Sequence, residues 1–215
     1  MSDQEQHLDL LRRVLALAGT GLHFTGTQYR SDGSREFDRE RYEEIGKLAA
    51  QLIAAQTNAP LGDLIKAWHA DDGYHTPKVD VRGAIFQDDR VLLVRERGDG
   101  KWTLPGGWGD VNESPAFAVE KEIQQESGYT AKAVKLAAVY DRRKRNVPNS
   151  VFYIWKLFFI CEITGGAPQV SSETDGVEFF PMTALPALST GRTVQYQLER
   201  MYQHHLQREL PADFD

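Results

Sequence analysis

The sequence predicts an α/β protein in which a small all-α domain precedes a larger α/β domain. Two patterns support this: apolar residues recur at helical spacing up to about residue 70, and alternating or β-branched runs follow Pro77. With 215 residues, 41% of them hydrophobic, the chain has room for one medium core and a small extra one. We therefore expect a helical domain over 1–73 and an α/β domain over 77–210.

The first domain is predicted to hold three helices. Apolar positions at helical spacing cover residues 10–17 and 42–53, and a shorter set covers 61–68. About 60 helical residues form a marginal core on their own. We therefore expect these helices to pack on another surface.

The second domain is predicted to be a sheet with helices. Strand patterns cover residues 79–86, 91–97, 133–141, 151–163 and 177–180, and a final helix is expected over 194–207. Residues 87–90 and the pair Gly165–Gly166 are predicted to be turns.

A glycine-rich loop directly before an acidic helix is the most informative segment, with the sequence GGWGDVNESPAFAVEKEIQQESGY over 106–129. Paired glycines at 106 and 107 allow tight turns that aim backbone groups at a bound ion. Ser114 is a suitable N-cap with Pro115 at the first helical position. The helix is expected to end near Gly128.

Two carboxylates on this helix, Glu122 and Glu126, are four residues apart and therefore share a face. They are within reach of one hard cation, for which magnesium or manganese is suitable and zinc is not. Such an ion neutralises phosphate charge and lowers the pKa of water, so the pattern indicates metal-assisted hydrolysis of a phosphoanhydride. The alternative is a solvated helix after a glycine turn, because like charges at this spacing cost only about 0.2–0.5 kcal/mol.

The same segment resembles the signature of the Nudix hydrolases. The matching positions are Gly107, Glu113, Lys121-Glu122-Ile123, Gln125-Glu126, Gly128 and Tyr129. Beyond it, the segments TPKVDVRGAIF, LLVRERGDGKWTLPGGWGDV and AVYDRRKRN resemble a Nudix branch that carries an N-terminal helical domain. That branch includes CDP-choline pyrophosphatase and proteins labelled ADP-ribose pyrophosphatase.

The resemblance implies a Nudix α/β/α sandwich with a mixed sheet and a homodimeric enzyme. It implies hydrolysis of a nucleoside diphosphate linked to X, with Mg²⁺ or Mn²⁺ as cofactor. CDP-choline and ADP-ribose are the leading substrates, and an RNA end is a more remote one. By the same resemblance, Glu122 and Glu126 are metal ligands together with the backbone carbonyl of Gly106, and Glu113 orients the helix.

Two positions depart from the family pattern. Lys121 stands where arginine is usual and lacks a planar fork for a carboxylate. Gln125 replaces the first glutamate of the usual pair, and its amide oxygen is a weaker ligand for a hard cation. An alternative function therefore stays open, that of a catalytically impaired, nucleotide-binding sensor or regulator.

Other candidate site residues lie outside the signature. Glu173, in the polar loop SSETDG, is a candidate general base or extra ligand, with Asp175 as the fallback and a solvated carboxylate as the alternative. Arg142 follows a predicted strand and is a candidate for binding phosphates, although a solvated basic turn explains it equally well.

Arg82 and Arg95 lie on predicted strands, where an inward arginine needs either a substrate phosphate or a structural carboxylate. Trp108 is a candidate for stacking on a base, although most aromatic residues belong to the core.

Composition restricts the possible functions less strongly than the motifs do. The formal net charge of −6 argues against extensive nucleic-acid binding. Cys161 is the only cysteine, so an internal disulfide is excluded and a buried core thiol is expected. The first residues lack the features of a secretory signal and no apolar stretch of about 20 residues occurs, so we expect a cytoplasmic protein without a membrane span.

Overall fold

The computed structural model describes residues 3–27, 34–71, 73–145 and 153–215. The chain divides into two compact units, one with the helices up to Pro77 and one with the strands from Lys78 onward. Within the described residues, no helix is long and apolar enough to cross a membrane. Residues 151 and 152 of the predicted strand 151–163 lie outside the described residues.

Three helices form the first unit: α1 (Asp3–Thr27), α2 (Ser34–Thr57) and α3 (Leu61–Ala70). Their shared core includes Leu8, Leu15, Ala18, Ala49, Ala50, Ile53, Leu64 and Trp68. The Trp68 indole N–H donates to the carbonyl of Leu15 at 3.1 Å, which fixes α3 against α1. The predicted helical segments are therefore confirmed, and the helices run longer than their apolar patterns.

The second unit contains two four-stranded sheets. Its elements are β1 (Lys78–Ala84), β2 (Phe86–Gln87), β3 (Arg90–Glu96), β4 (Trp102–Thr103), α4 (Pro115–Ser127), β5 (Tyr129–Asp141), a 3₁₀ turn (Arg142–Arg145), β6 (Ile154–Gly166), β7 (Thr174–Pro181), α5 (Gln195–Leu206) and β8 (Asp213–Phe214). One sheet has the order β1-β6-β5-β8, and in the other β2, β4 and β7 all pair with β3. β1 runs parallel to β6 and β8 parallel to β5, whereas β5 and β6 are antiparallel.

Both faces of the middle of β6 are buried, each in a different core. In β6, Phe158 and Ile160 belong to the core that includes Leu198 and Met201 of α5. Phe159 and Cys161, between and after them, belong to the core that includes Ile123 of α4. Because successive strand residues point to opposite faces, the long apolar runs reflect helices on both sides of the strands. The predicted α/β/α arrangement with a mixed sheet is confirmed.

One local expectation was wrong. Gly165 and Gly166 were predicted to form a turn, but they end β6 and pair with Thr130 and Tyr129. The antiparallel ladder continues through them because backbone pairing does not need a side chain. In α4, Ala118, Val119 and Ile123 form the buried apolar face, and the Phe117 side chain is 55% exposed.

The ends of α4 follow the sequence prediction. The Ser114 hydroxyl accepts the Phe117 amide at 3.3 Å, and Pro115 occupies the first turn. Gly128 ends the helix in the left-handed conformation with φ of 75°. A Cβ at Gly128 would lie 2.5 Å from the carbonyl oxygen of Ala167. Glycine is therefore required here by both the backbone conformation and the available space.

Replacing Gly128 with alanine is expected to lower the free energy of unfolding by at least about 1 kcal/mol, because the left-handed conformation alone costs an L residue that much. Urea unfolding followed by far-UV circular dichroism measures the effect. Gly165→Ala is the matched control, since a Cβ at Gly165 meets no described heavy atom within 4 Å. Equal midpoints for the two variants would contradict this account of the helix end.

Candidate active site

The glycine loop lies along β1 and faces α4. Three backbone hydrogen bonds join the loop to the strand: Gly83 N to Pro105 O at 2.9 Å, Val81 N to Gly107 O at 2.8 Å, and Gly109 N to Val79 O at 2.9 Å. Between these bonds, the Gly106 amide donates instead to Glu126 Oε2 on α4, at 2.8 Å. The loop is thus held by the strand on one side and by a helix carboxylate on the other.

Gly106 leaves no room for a side chain, and a side chain at Gly107 would press on Glu122. Gly106 has φ of 144°, and a Cβ there would lie 2.0 Å from the carbonyl oxygen of Val81. A Cβ at Gly107 would lie 3.0 Å from Glu122 Oε1. The two helix carboxylates therefore approach the loop backbone itself, so the structure brings together Gly106, Glu122 and Glu126, the three predicted metal ligands.

A cavity of about 610 Å³ opens over this loop and is called the acidic cavity below. Its lining consists of Arg82, Glu96, Gly106, Gly107, Trp108, Asp110, Glu122, Gln125, Glu126, Ser171, Ser172, Glu173 and Arg192. Five of these residues are acidic and two are basic. The cavity is therefore rich in the carboxylate oxygens that hard divalent cations prefer.

Burial and mutual repulsion make these carboxylates costly to ionise. Burial raises the pKa of Glu126 to about 8, against the opposing charge of Arg82, and the charges of Glu96 and Glu122 raise it further. Burial also raises the pKa of Glu122, with an added contribution from Glu173. Within the described residues, no three His, Cys, Asp or Glu side chains form a group able to hold a metal ion. A site here therefore needs the loop backbone or water in addition to the carboxylates.

Lys121 holds the acidic residues that precede α4. Its ammonium contacts both carboxylate oxygens of Glu113, at 2.8 and 2.9 Å, and Asp110 Oδ2 at 2.9 Å. A single Nζ atom thus binds Glu113 although lysine lacks the guanidinium fork. Glu113 is fixed to the helix, consistent with a role in orienting it.

Arg82 lies behind the site, in a buried ionic cluster. Its Nε and Nη2 atoms bind the two Asp80 oxygens at 2.9 Å each, and Nη1 donates to the Leu104 carbonyl at 3.1 Å. The Lys156 ammonium lies 3.2 Å from Asp80 Oδ1. Of the two partners expected for an inward arginine, Arg82 binds the structural carboxylate, yet it also lines the acidic cavity.

The two carboxylates of the polar loop SSETDG, Glu173 and Asp175, have different surroundings. Glu173 lines the acidic cavity, and its amide is held by the Ser171 hydroxyl at 3.1 Å. Asp175 forms a 2.6 Å ion pair with Arg95 Nε, and neither residue is among those that line the cavity. The structure thus brings Glu173, and not Arg95, to the predicted ligands.

A second cavity of about 350 Å³ is called the basic cavity below. It is lined by Asp80, Arg82, Gly107, Trp108, Arg142, Ile154, Lys156, Gly191 and Arg192. Trp108 is half exposed and lines both cavities, whereas Arg142 lines only this one and donates from Nη2 to the Gly191 carbonyl at 2.8 Å. The predicted substrate-binding residues Trp108 and Arg142 thus lie at the site.

Comparison with known proteins identifies the fold and the family. The NUDIX domain family matches residues 75–201, and a family described as a UDP-X-like, N-terminal oligomerisation domain matches residues 5–68. The chain belongs to the Nudix hydrolase family. Nudix hydrolases generally use divalent metal ions, which agrees with the oxygen-rich acidic cavity.

Three relatives of this Nudix hydrolase cover much of its length. A candidate ADP-ribose pyrophosphatase of Bacillus subtilis (strain 168) is 39% identical over 93% of this chain and 92% of its own. The crystal structure of a UDP-X diphosphatase is 30% identical, with a TM-score of 0.62 and full coverage of both chains. An ADP-ribose pyrophosphatase structure from Streptococcus suis 89-1591 is 38% identical, with a TM-score of 0.60, covering 65% of this chain and all of that one.

Sequence reasoning missed Glu96 and Arg192 in this Nudix hydrolase. The Glu96 side chain is buried at the end of β3, and its Oε1 lies 3.0 Å from Arg192 Nε. The sequence does contain an indication for Glu96, because a carboxylate at the end of an apolar strand is partly buried and requires a partner. Arg192 lies in a loop without a local pattern, so only the folded chain reveals its position.

The raised pKa of Glu126 predicts a pH dependence of stability in the metal-free Nudix hydrolase. Burial raises the pKa of its carboxyl from 4.5 to about 8, so the folded state binds the extra proton between these values. The contribution of Glu126 to the free energy of unfolding should therefore fall as pH rises from 4.5 to 8.

Urea midpoints of chelator-treated protein between pH 5 and 8.5 measure this dependence. Glu126→Gln should flatten the curve, whereas Glu120→Gln, on the same helix but outside the cavity lining, should leave its slope unchanged. A Glu126→Gln curve as steep as the wild-type curve would show that Glu126 is ionised throughout this range.

Proposed function

We propose that this Nudix hydrolase is a Mg²⁺- or Mn²⁺-dependent pyrophosphohydrolase that cleaves a nucleoside diphosphate linked to X, with ADP-ribose as the favoured substrate. The observation that carries the proposal is the convergence of the Glu122 and Glu126 carboxylates on the Gly106–Gly107 backbone. A bound divalent ion would neutralise diphosphate charge and lower the pKa of water.

The proposed ligands are Glu122, Glu126 and the carbonyl oxygen of Gly106. Both carboxylates lie at the loop, and repulsion between them is relieved by a cation. The carbonyls of Pro105 and Gly107 already accept hydrogen bonds from β1. Gly106 lies between them and makes its amide contact toward α4, so its carbonyl is the one that we assign to the metal.

Glu173 is proposed to act as the general base. Its carboxylate lines the same cavity as the proposed ligands, and the Ser171 hydroxyl supports its backbone. It would accept a proton from the attacking water. Asp175, the fallback candidate, is already paired with Arg95.

The lining of the basic cavity favours ADP-ribose over CDP-choline. Its described lining holds four basic residues and one acidic residue, and Trp108 is the one aromatic side chain. A quaternary ammonium is recognised by an aromatic cage and is repelled by cations, whereas a sugar phosphate offers oxygens to donors. The names of the Bacillus and Streptococcus relatives support the same choice.

We also propose that the N-terminal unit forms a homodimer through apolar stripes on its first two helices. Leu10, Val14 and Leu17 on α1, and Ile45, Leu48 and Leu52 on α2, are 39–61% exposed. Spacings of three and four residues place each trio on one helix face. Exposed apolar patches mark interaction surfaces, and the matched family is an oligomerisation domain.

A substrate panel tests the activity. The panel holds ADP-ribose, CDP-choline, NADH, a nucleotide sugar and a diadenosine polyphosphate, each with Mg²⁺, Mn²⁺ or chelator. Phosphate release after coupling to a phosphatase should be greatest for ADP-ribose and should be lost with chelator. Faster turnover of CDP-choline would overturn the substrate choice, and nucleotide binding without any turnover would support the sensor function instead.

The variant Glu126→Gln tests the ligand assignment. It preserves shape but removes the charge, so Mn²⁺ affinity and kcat/KM should each fall by about 100-fold or more. Mn²⁺ binding is measured by electron paramagnetic resonance, independently of turnover. Glu120→Gln should match the wild type in both measurements. Wild-type Mn²⁺ affinity in Glu126→Gln would remove Glu126 from the site.

The double variant Leu17→Glu/Leu48→Glu tests the dimer. Placing charge in both apolar stripes should convert the dimer to a monomer, as measured by light scattering coupled to size exclusion. Lys66→Glu, an exposed position on α3, is the control and should stay dimeric. A wild-type monomer, or a dimer that survives the double variant, would contradict the proposed surface.

A further inference from the structure

The two cavities adjoin and carry opposite charge. Arg82, Gly107, Trp108 and Arg192 line both of them. The described lining of the acidic cavity has five acidic and two basic residues, whereas that of the basic cavity has one acidic and four basic residues. An anionic ligand that spans them would require a cation in the first cavity and none in the second.

The loop that borders the basic cavity is fixed at both of its ends. Arg142 Nη2 donates to Gly191 O at 2.8 Å, and Lys156 Nζ donates to Arg192 O at 2.6 Å. On either side, Ser189 N donates to the Trp102 carbonyl at 2.8 Å, and the hydroxyls of Thr103 and Thr193 lie 2.8 Å apart. The position of Arg192 is therefore set by the frame before any ligand binds.

The guanidinium of Arg192 is oriented as well as positioned. Its Nε lies 3.0 Å from Glu96 Oε1, and its Nη1 donates to the Ser189 hydroxyl at 3.1 Å. The side chain is nevertheless 39% exposed and lines both cavities. Glu96 is thus a positioning residue that holds an arginine at the junction of the two cavities.

Lys156 is a buried residue of the basic cavity lining. Its side chain is only 2% exposed, and its ammonium lies between Asp80 and the Arg192 carbonyl. Asp80 is also bound by Arg82, so one buried carboxylate faces both basic side chains. Burial lowers the pKa of Lys156 to about 7, so the lasting positive charge of the basic cavity comes from Arg82, Arg142 and Arg192.

We propose that the basic cavity is an anion subsite that binds the phosphate of the departing phosphomonoester, with Arg142 and Arg192 as its ligands. The assignment to the departing group rests on the proposed pyrophosphohydrolase function. Arginine is suited to it because its planar fork donates to two phosphate oxygens at once.

The proposed reaction gives this subsite a role in stabilising the leaving group. The oxygen of water forms a bond to one phosphorus, and the bond between that phosphorus and the bridging oxygen breaks. The bridging oxygen and its electron pair leave with the second phosphorus as a phosphomonoester, while one water proton passes to Glu173 and the other stays on the attacked phosphate. The departing phosphate gains negative charge, so fixed cations around it stabilise the transition state.

Binding of inorganic phosphate and of ribose 5-phosphate to the chelator-treated full-length protein tests the subsite. Isothermal titration calorimetry should detect both ligands in the wild type. Arg142→Gln and Arg192→Gln should each weaken binding by about tenfold, because each removes a charge-assisted contact. Arg90→Gln is the matched control, since Arg90 is exposed on β3 and lines neither cavity. Phosphate binding that is absent from the wild type, or unchanged in both site variants, would overturn the subsite.

The two proposals fail in different ways. If phosphate binding depends on the arginines but no nucleoside diphosphate is hydrolysed, the subsite stands and the assignment to a departing group is wrong. If hydrolysis occurs and product inhibition by ribose 5-phosphate is equal in wild type and Arg142→Gln, the subsite alone is wrong. Mn²⁺ affinity should stay at the wild-type value in Arg142→Gln, which separates a lost anion contact from a damaged metal site.

Discussion

The contact between the Glu126 carboxylate and the Gly106 amide is the constraint on which the rest of the site depends. It holds a carboxylate that is 5% exposed against a backbone that has no room for a side chain. Burying such a charge is costly unless positive charge accompanies it. Arg82 supplies part of that charge but is itself bound to Asp80, so the carboxylates around Glu126 still favour a cation.

Strand β1 positions both sides of the contact between Gly106 and Glu126. That strand pairs with β6 on one side and receives the glycine loop on the other, while α4 packs its buried face near it. The Ser114 cap and the left-handed Gly128 set where α4 begins and ends, and thereby which of its residues face the loop. The apolar cores on both sides of the strands keep these elements in register, so the positions of the carboxylates follow from packing.

Local features of the site could be predicted from the sequence, whereas long-range ones could not. Helix spacing alone places Glu122 and Glu126 on one face, and the glycine pair indicates a loop that ligands can approach. The partner of Arg82 is two residues away on the same strand, yet choosing Asp80 over a substrate phosphate requires knowing that Lys156 lies beside it. Glu96 and Arg192 meet across 96 positions of sequence, and no local pattern encodes such a pairing.

Anomalous diffraction from crystals grown with Mn²⁺ tests the central claim most directly. The account predicts an anomalous peak within about 2.6 Å of a carboxylate oxygen of Glu122, a carboxylate oxygen of Glu126 and the carbonyl oxygen of Gly106. The peak should disappear in crystals of Glu126→Gln, while the loop backbone at Gly106 keeps its place beside β1. A peak coordinated by Glu96 and Glu173 without Glu126, or one that persists in Glu126→Gln, would contradict the account.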